Sequence, residues 1–401
     1  MNVSEQEQDI VIVGGGICGL ATALALRRKG IKSMVLERSE TLRAAGVGII
    51  MQPNGWRALD QLGVAAKLRQ TCTEIPSGVF ISVAEGKYRE SELPLGKGEL
   101  RCLKRMELMK ALTEELPVES VYLGCRAVSI VLDPLTSNPL LQLHDGTLIK
   151  AKIVIGCDGV NSIISKFVGV NSPKLFSRCA TRGFTYYEGA HSFGDKFRFY
   201  SSNDVTLGQL PVTDKLVYWF LTRVLTSQDL SDAKKDPTYI TKASLEAIKG
   251  FPEEIVELVK NTEPKALYLT ELRYRAPWDL VHAKFRKGTV VVAGDAMHAM
   301  CPFISQGGGA SLEDAVVLAR CLSEKLKQAK EGGGNRLVEE ALDEYVRERR
   351  MRVFWLSLQT YFMGLAQDNT SKIWEQNSRN LPSFLLVSPL FTGEVYIWTV
   401  G

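Results

Sequence analysis

The stretch Asp9-Ile10-Val11-Ile12-Val13-Gly14-Gly15-Gly16-Ile17-Cys18-Gly19 decides the fold. Ile10–Val13 are all β-branched, as in a strand buried on both faces of a parallel sheet. Leu20–Lys29 then reads as a helix ended by Gly30, and Ser33–Leu36 as a second strand, which together make a βαβ unit. Gly14 permits the tight turn, Gly16 lets backbone approach a pyrophosphate, and Gly19 lets the helix pack closely on the strand. The helix N-terminus adds free N–H groups and partial positive charge. Glu37 ends the second strand, where a carboxylate accepts hydrogen bonds from both ribose hydroxyls and repels a 2′-phosphate. The unit is therefore a dinucleotide site, and Glu37 argues against NADP in it.

Two later junctions repeat the pattern. Gly156-Cys157-Asp158-Gly159-Val160-Asn161-Ser162 follows the buried run Ile153–Ile155, and Gly294-Asp295-Ala296-Met297-His298 follows Thr289–Ala293. Each puts an aspartate at the C-terminal end of a strand, where open α/β sheets bind ligands. After Pro302, the run Gln306-Gly307-Gly308-Gly309 opens a helix whose N–H groups and dipole suit an anion such as a reduced flavin. Taken singly, each aspartate reads first as a cap or turn residue. His298 reads as cofactor-side structure, and no catalytic base is assigned.

Between these junctions the pattern changes. Glu74–Glu99 reads as short strands, Lys104–Leu116 as an amphipathic helix on Leu108, Leu112 and Leu116, and Val128–Leu132 with Leu140–Leu143 as a hairpin. From Ser177 to Leu225 the chain alternates like antiparallel sheet, and helices follow at Ala310–Lys325 and Leu337–Leu358. The fold class is α/β. A discontinuous Rossmann-like dinucleotide domain (1–75, 100–175 and 280–360) carries an inserted, mostly antiparallel sheet domain (76–99 and 176–279), and a helical, apolar tail spans 361–401.

The 401 residues carry a formal net charge of +4, which gives no basis for nucleic-acid binding. The basic run Arg347–Arg352 reads as a solvated helix face. The eight cysteines are scattered, with no metal-ligand spacing, and read as reduced, mostly buried thiols in a cytoplasmic protein. The acidic leader before Asp9 leaves no room for a signal peptide. Leu381–Phe391 is apolar but broken by Pro382 and Pro389, too short to span a bilayer. It reads as packing against the body, with peripheral membrane contact as the alternative.

Taken together, the three motifs over residues 9–360 resemble the single-component, FAD-dependent aromatic hydroxylases (group A flavoprotein monooxygenases), in their salicylate-hydroxylase-like branch with its plant members. The resemblance implies the p-hydroxybenzoate-hydroxylase-like fold. It implies that Gly14, Gly16, Gly19 and Glu37 hold the ADP half of FAD, that Arg105 contacts the cofactor, and that Asp158 serves both FAD and NAD(P)H. Asp295 would meet the ribityl chain, with Pro302, Gly307 and Gly308 beside the ring. NAD(P)H, expected as NADPH, would reduce the flavin, and O2 would form a flavin hydroperoxide that hydroxylates a phenolic or salicylate-like small molecule. The absence of a second GxGxxG fits a transient nicotinamide.

Two positions depart from the pattern. The family's Arg or Lys three residues after Ser162 is Ser165, and its Gly-Gln-Gly-x-Asn loop reads Ser305-Gln306-Gly307-Gly308-Gly309. Substrate contacts are expected from the sheet insertion, with Arg182 as the first candidate for a carboxylate or phenolate. Tyr186, Tyr187, His191, Arg198 and Gln209 are the other candidates. Epoxidation of an isoprenoid and non-catalytic FAD binding are the competing readings.

Overall fold

The computed structural model describes residues 5–42, 47–84, 86–236, 238–329 and 334–368. Leu381–Phe391, and with it the choice between packing and membrane contact, lies outside the described residues.

The leading strand runs Glu5–Val13, five residues longer than its β-branched part. Polar Glu5–Gln8 extend it because each finds a backbone partner, Glu5 to Gln8 pairing with Leu148 to Ala151. The helix after the glycine turn spans Ile17–Arg28, and the second strand is Met34–Leu36. Strands Val290–Val292, Leu148–Gly156, Glu5–Val13, Met34–Leu36 and Val121–Tyr122 lie side by side in that order, all parallel. The hairpin Ala127–Leu132 with Pro139–Leu143 pairs antiparallel and attaches to Leu148–Gly156. Helices Ile17–Arg28, Arg105–Glu114 and Gly307–Ala329 cover the sheet, burying Leu20, Leu24, Leu108, Leu112, Leu312 and Leu318 in one apolar core.

A second sheet of seven strands draws on residues 78–93, 174–224 and 268–274. It is antiparallel except where Phe197–Ser202 runs parallel to Gly78–Ala84. One face carries Ile81, Tyr200, Leu207, Trp219 and Leu221, which form a separate core with Ile248, Ile255 and Leu258 of the covering helices. The opposite face carries Phe184, Leu210 and Tyr218, which join the core of the nucleotide-type sheet. The contact is close: a Cβ on Gly48 would lie 2.5 Å from the Tyr218 ring. Helix Gly334–Asp368 then packs against Gly307–Ala329. No helix among the described residues is long and apolar enough to cross a membrane.

Candidate active site

Val292, Gly156, Val13 and Leu36 are in register across four adjacent parallel strands. Asp295, Asp158, Gly14 and Glu37 therefore issue in a row from one edge of the sheet. At a strand spacing of about 4.8 Å the row covers about 14 Å, more than one phosphate site.

Gly14 takes φ +109°, and a Cβ there would sit 2.4 Å from the Cys157 carbonyl oxygen. A Cβ on Gly19 would lie 1.9 Å from the Gly14 oxygen, so helix and turn meet backbone to backbone. At Gly16 a Cβ would meet nothing within 4 Å, which leaves open space over the helix N-terminus. The Glu37 carboxylate is fixed beside it, accepting the Gly15 N–H at 2.8 Å and the Ser39 N–H at 2.9 Å. Beneath the turn, a hydrogen bond with Cys157, together with burial, pushes the Cys18 thiol well up.

Asp158 caps the following helix. It accepts from the Ser162 hydroxyl at 2.5 Å and the Ile163 N–H at 2.8 Å, while Ser162 accepts from the Ser165 N–H at 2.8 Å. Burial nonetheless pushes the Asp158 carboxyl up. Ser165 is buried and donates its hydroxyl to the Ala296 carbonyl at 2.5 Å. The guanidinium of Arg275, also buried, reaches that same carbonyl at 3.0 Å. A cation thus arrives from residue 275 where the resemblance expects one at 165, a feature no motif in the sequence signalled.

Asp295 follows Gly294, whose φ of +60° swings the chain into a short helical turn. Its side chain opens onto the cleft, yet the protein massed around it outweighs that opening. Burial pushes the carboxyl up, and His298, Arg105 and Arg275 draw it back. Arg105, first residue of its helix, is thus near enough for its charge to act on Asp295. Pro302 starts the turn Pro302–Ile304, and Gly307 starts the helix Gly307–Ala329. The first-turn N–H groups of that helix, Gly307 to Gly309, have no intrahelical acceptor.

His298 points away from this cleft. It is fully buried, with Nε2 2.7 Å from the Asp314 carboxylate. Asp314 also accepts the Gly294 N–H at 2.8 Å and Arg349 Nε at 2.7 Å. Arg349 and Arg352 both pair with Glu313, at 2.7 and 3.0 Å. Glu313 in turn accepts from Asn54 at 2.7 Å, Asn54 donates to Gln306 at 2.8 Å, and Gln306 donates to Gln52 at 2.5 Å. The run Arg347–Arg352 is therefore not a solvated face: Arg347 is exposed, but Arg349 is buried in this network because it falls on the same helix stripe as Tyr345 and Val353. Gly309 is explained too, since a Cβ there would lie 2.9 Å from Asn54 Nδ2. The amide missing from residue 309 stands at residue 54 instead.

Between the two sheets lies a cavity of about 250 Å³. Phe80, Phe197, Phe199 and Phe220 line it from the second sheet, Phe303–Gln306 from the loop before the glycine helix, and Met363 and Gln367 from the long helix. All six substrate candidates lie outside this lining. Arg182 shares the sheet face of its register partner Phe220, but donates to Thr270 on the outer strand at 3.1 Å. Tyr186 is exposed with Lys104 over its ring at 5.2 Å, and His191 Nε2 bonds the Thr213 carbonyl at 2.8 Å. Gln209 is fully buried on the opposite face, paired with Arg198 and Trp219 in the ladder. The cavity phenylalanines escaped the sequence reading, which sought polar contacts.

The family model described as "FAD binding domain" matches residues 7–188 and 222–357. The chain belongs to the FAD-dependent aromatic monooxygenases. Among these monooxygenases it is 46% identical to Monooxygenase 1 of Arabidopsis thaliana over 92% of this chain and 93% of that one. It is 37% identical to Monooxygenase 2 of the same plant over 92% of each. Klebsiella pneumoniae HpxO, solved with FAD and uric acid, shares the monooxygenase fold at a TM-score of 0.77 and 22% identity, over 92% of both chains. The 2,6-dihydroxypyridine-3-hydroxylase of Arthrobacter nicotinovorans does so at a TM-score of 0.76 and 19% identity, over 92% of this chain and 94% of that one.

Proposed function

We propose that this FAD-dependent monooxygenase uses NADPH and O2 to hydroxylate an aromatic small molecule held in the cavity between its sheets. The observation that carries the reading is adjacency: the loop Phe303–Gln306 lines the cavity on one side and opens the glycine helix on the other. A reacting carbon in the cavity would therefore lie beside whatever ring that helix holds.

FAD fits the residues present. The space above Gly16 admits a pyrophosphate, Glu37 is held where ribose hydroxyls would reach it, and the row from Glu37 to Asp295 suits an elongated cofactor. Gly14 and Gly19 keep that turn tight, Arg105 and Asp295 would meet the cofactor beyond it, and Asp158 anchors the middle junction. Pro302, Gly307 and Gly308 would flank the ring. The bound flavin supplies the electrons, taken from NADPH, that activate dioxygen. The protein's part is to orient the substrate and to keep water from the reacting centre, which the phenylalanine lining does.

One oxygen atom of O2 enters the product, the other leaves as water, and NADPH is oxidised to NADP+. The test is NADPH consumption by the FAD-loaded protein across a panel of phenols, phenolic acids and isoprenoids, with product mass. A phenol that stimulates consumption and gains one oxygen supports the reading; no flavin reduction by NADPH or NADH leaves only FAD binding. The apolar lining also favours isoprenoid epoxidation as a second reading, which a gained oxygen on an alkene would identify.

A further inference from the structure

The cavity lining contains no Asp, Glu, Lys, Arg or His among the described residues. We infer that its ligand is an uncharged aromatic molecule of one substituted or two fused rings, and that a carboxylate on the ring is rejected. The inference rests on the monooxygenase reading for what happens to that ligand, but not for the binding preference.

Size sets the first limit. A cavity of about 150 Å³ holds one benzene ring, so about 250 Å³ accommodates a larger flat molecule. Shape and chemistry set the second. Phe80 and Phe199 stack with centroids 6.0 Å apart, and Phe220 lies 6.3 Å from Phe199 at a 51° tilt. Such a cluster offers ring faces and edges to another aromatic ring.

Gln306, Gln52 and Thr206 of the lining are already engaged. Gln306 donates to Gln52 at 2.5 Å, Gln52 donates to the Ile304 carbonyl at 2.7 Å, and Thr206 and Thr222 share a hydrogen bond of 2.6 Å. Ser201 and Ser305 keep their hydroxyls without a protein partner among the described residues. Two hydroxyls can satisfy a phenol or a carbonyl; they cannot replace the hydration of a carboxylate.

The cations nearby do not change this. Arg182 is turned to Thr270. Arg178, behind Thr222 and Gln367, donates to the carbonyls of Gln367, Asp204 and Thr222. Most of the aromatic lining, Phe197, Phe199 and Phe220, falls within residues 189–221, between the two stretches that the family model matches.

The test titrates FAD-loaded protein with a naphthol and the matching hydroxynaphthoate at neutral pH, reading binding from the flavin absorbance change. The naphthol is expected to bind about 100-fold more tightly or better, the scale of leaving a buried carboxylate unpaired. Ser201→Arg, which brings a cation to the wall, should narrow or reverse that preference. Equal or tighter binding of the hydroxynaphthoate by the unmodified protein, or no binding of the naphthol, overturns the inference. NADPH consumption is scored separately: a bound naphthol that elicits none contradicts the monooxygenase reading while upholding the binding preference.

Discussion

Arg349 Nε donates to Asp314 Oδ1 at 2.7 Å, in the core directly beneath the strand end that carries Asp295. Asp314 in turn holds the Gly294 N–H, so the ion pair fixes the turn on which Asp295 sits. Removing one partner of a buried pair strands the other charge. Arg349→Met is therefore expected to cost about 3–5 kcal/mol, read from urea unfolding. Arg347→Met, two residues away and exposed, should stay within about 0.5 kcal/mol. Equal effects would return the whole run to a solvated face.

The same network sets an acid limit. Burial alone would raise Glu313, but Arg349 and Arg352 hold it down to about 2, and His298 and Arg349 lower Asp314 against the same burial. Unfolded carboxyls titrate near pH 4. Between about pH 4.5 and 2 the unfolded chain binds protons that the folded chain refuses, so stability falls as pH falls through that window. Glu313→Gln should flatten this slope in denaturant midpoints measured across it. An unchanged slope would place the acid sensitivity elsewhere.

The glycine turn separates folding from cofactor binding. Gly19→Ala drives a Cβ into the Gly14 oxygen and should destabilise the chain by about 1–3 kcal/mol. Gly16→Ala has room within the protein, so thermal unfolding without FAD should barely change while FAD affinity falls about tenfold or more. Unaltered FAD retention by Gly16→Ala would mean that the pyrophosphate does not pass over this residue.

Thiol reactivity checks the packing around that turn. All eight cysteines are free, and Cys125 alone is not fully buried. Burial still pushes its thiol up, so alkylation should be slow at neutral pH and faster near pH 9. Cys125 should label first, and Cys18 and Cys157 should label only on unfolding, as peptide mass mapping would show.

How much of this was legible in the sequence follows from how local each signal is. The strand, the glycine turn, the helix and Glu37 lie within thirty residues of one another and state their own geometry, and Asp158 and Asp295 repeat it. Arg349 was half legible: Leu342, Tyr345, Arg349, Val353 and Leu356 form one buried stripe at helical spacing, but the neighbouring charges masked it. Arg275 and Asn54 were illegible, since each substitutes for a motif side chain from a distant segment. Gln209 lies on the face away from the cavity, which was illegible for another reason. Its strand is buried on both faces from Thr206 to Val212, so no alternation marks which side meets the cavity.

The most direct test of the account is the fate of labelled dioxygen. FAD-loaded protein, NADPH and an uncharged phenol that stimulates NADPH consumption are incubated under the heavy isotope, and the product is weighed. The account predicts one labelled oxygen on the ring for each NADPH consumed. A product carrying oxygen from water, or NADPH consumption that yields only hydrogen peroxide with every such phenol, would contradict it.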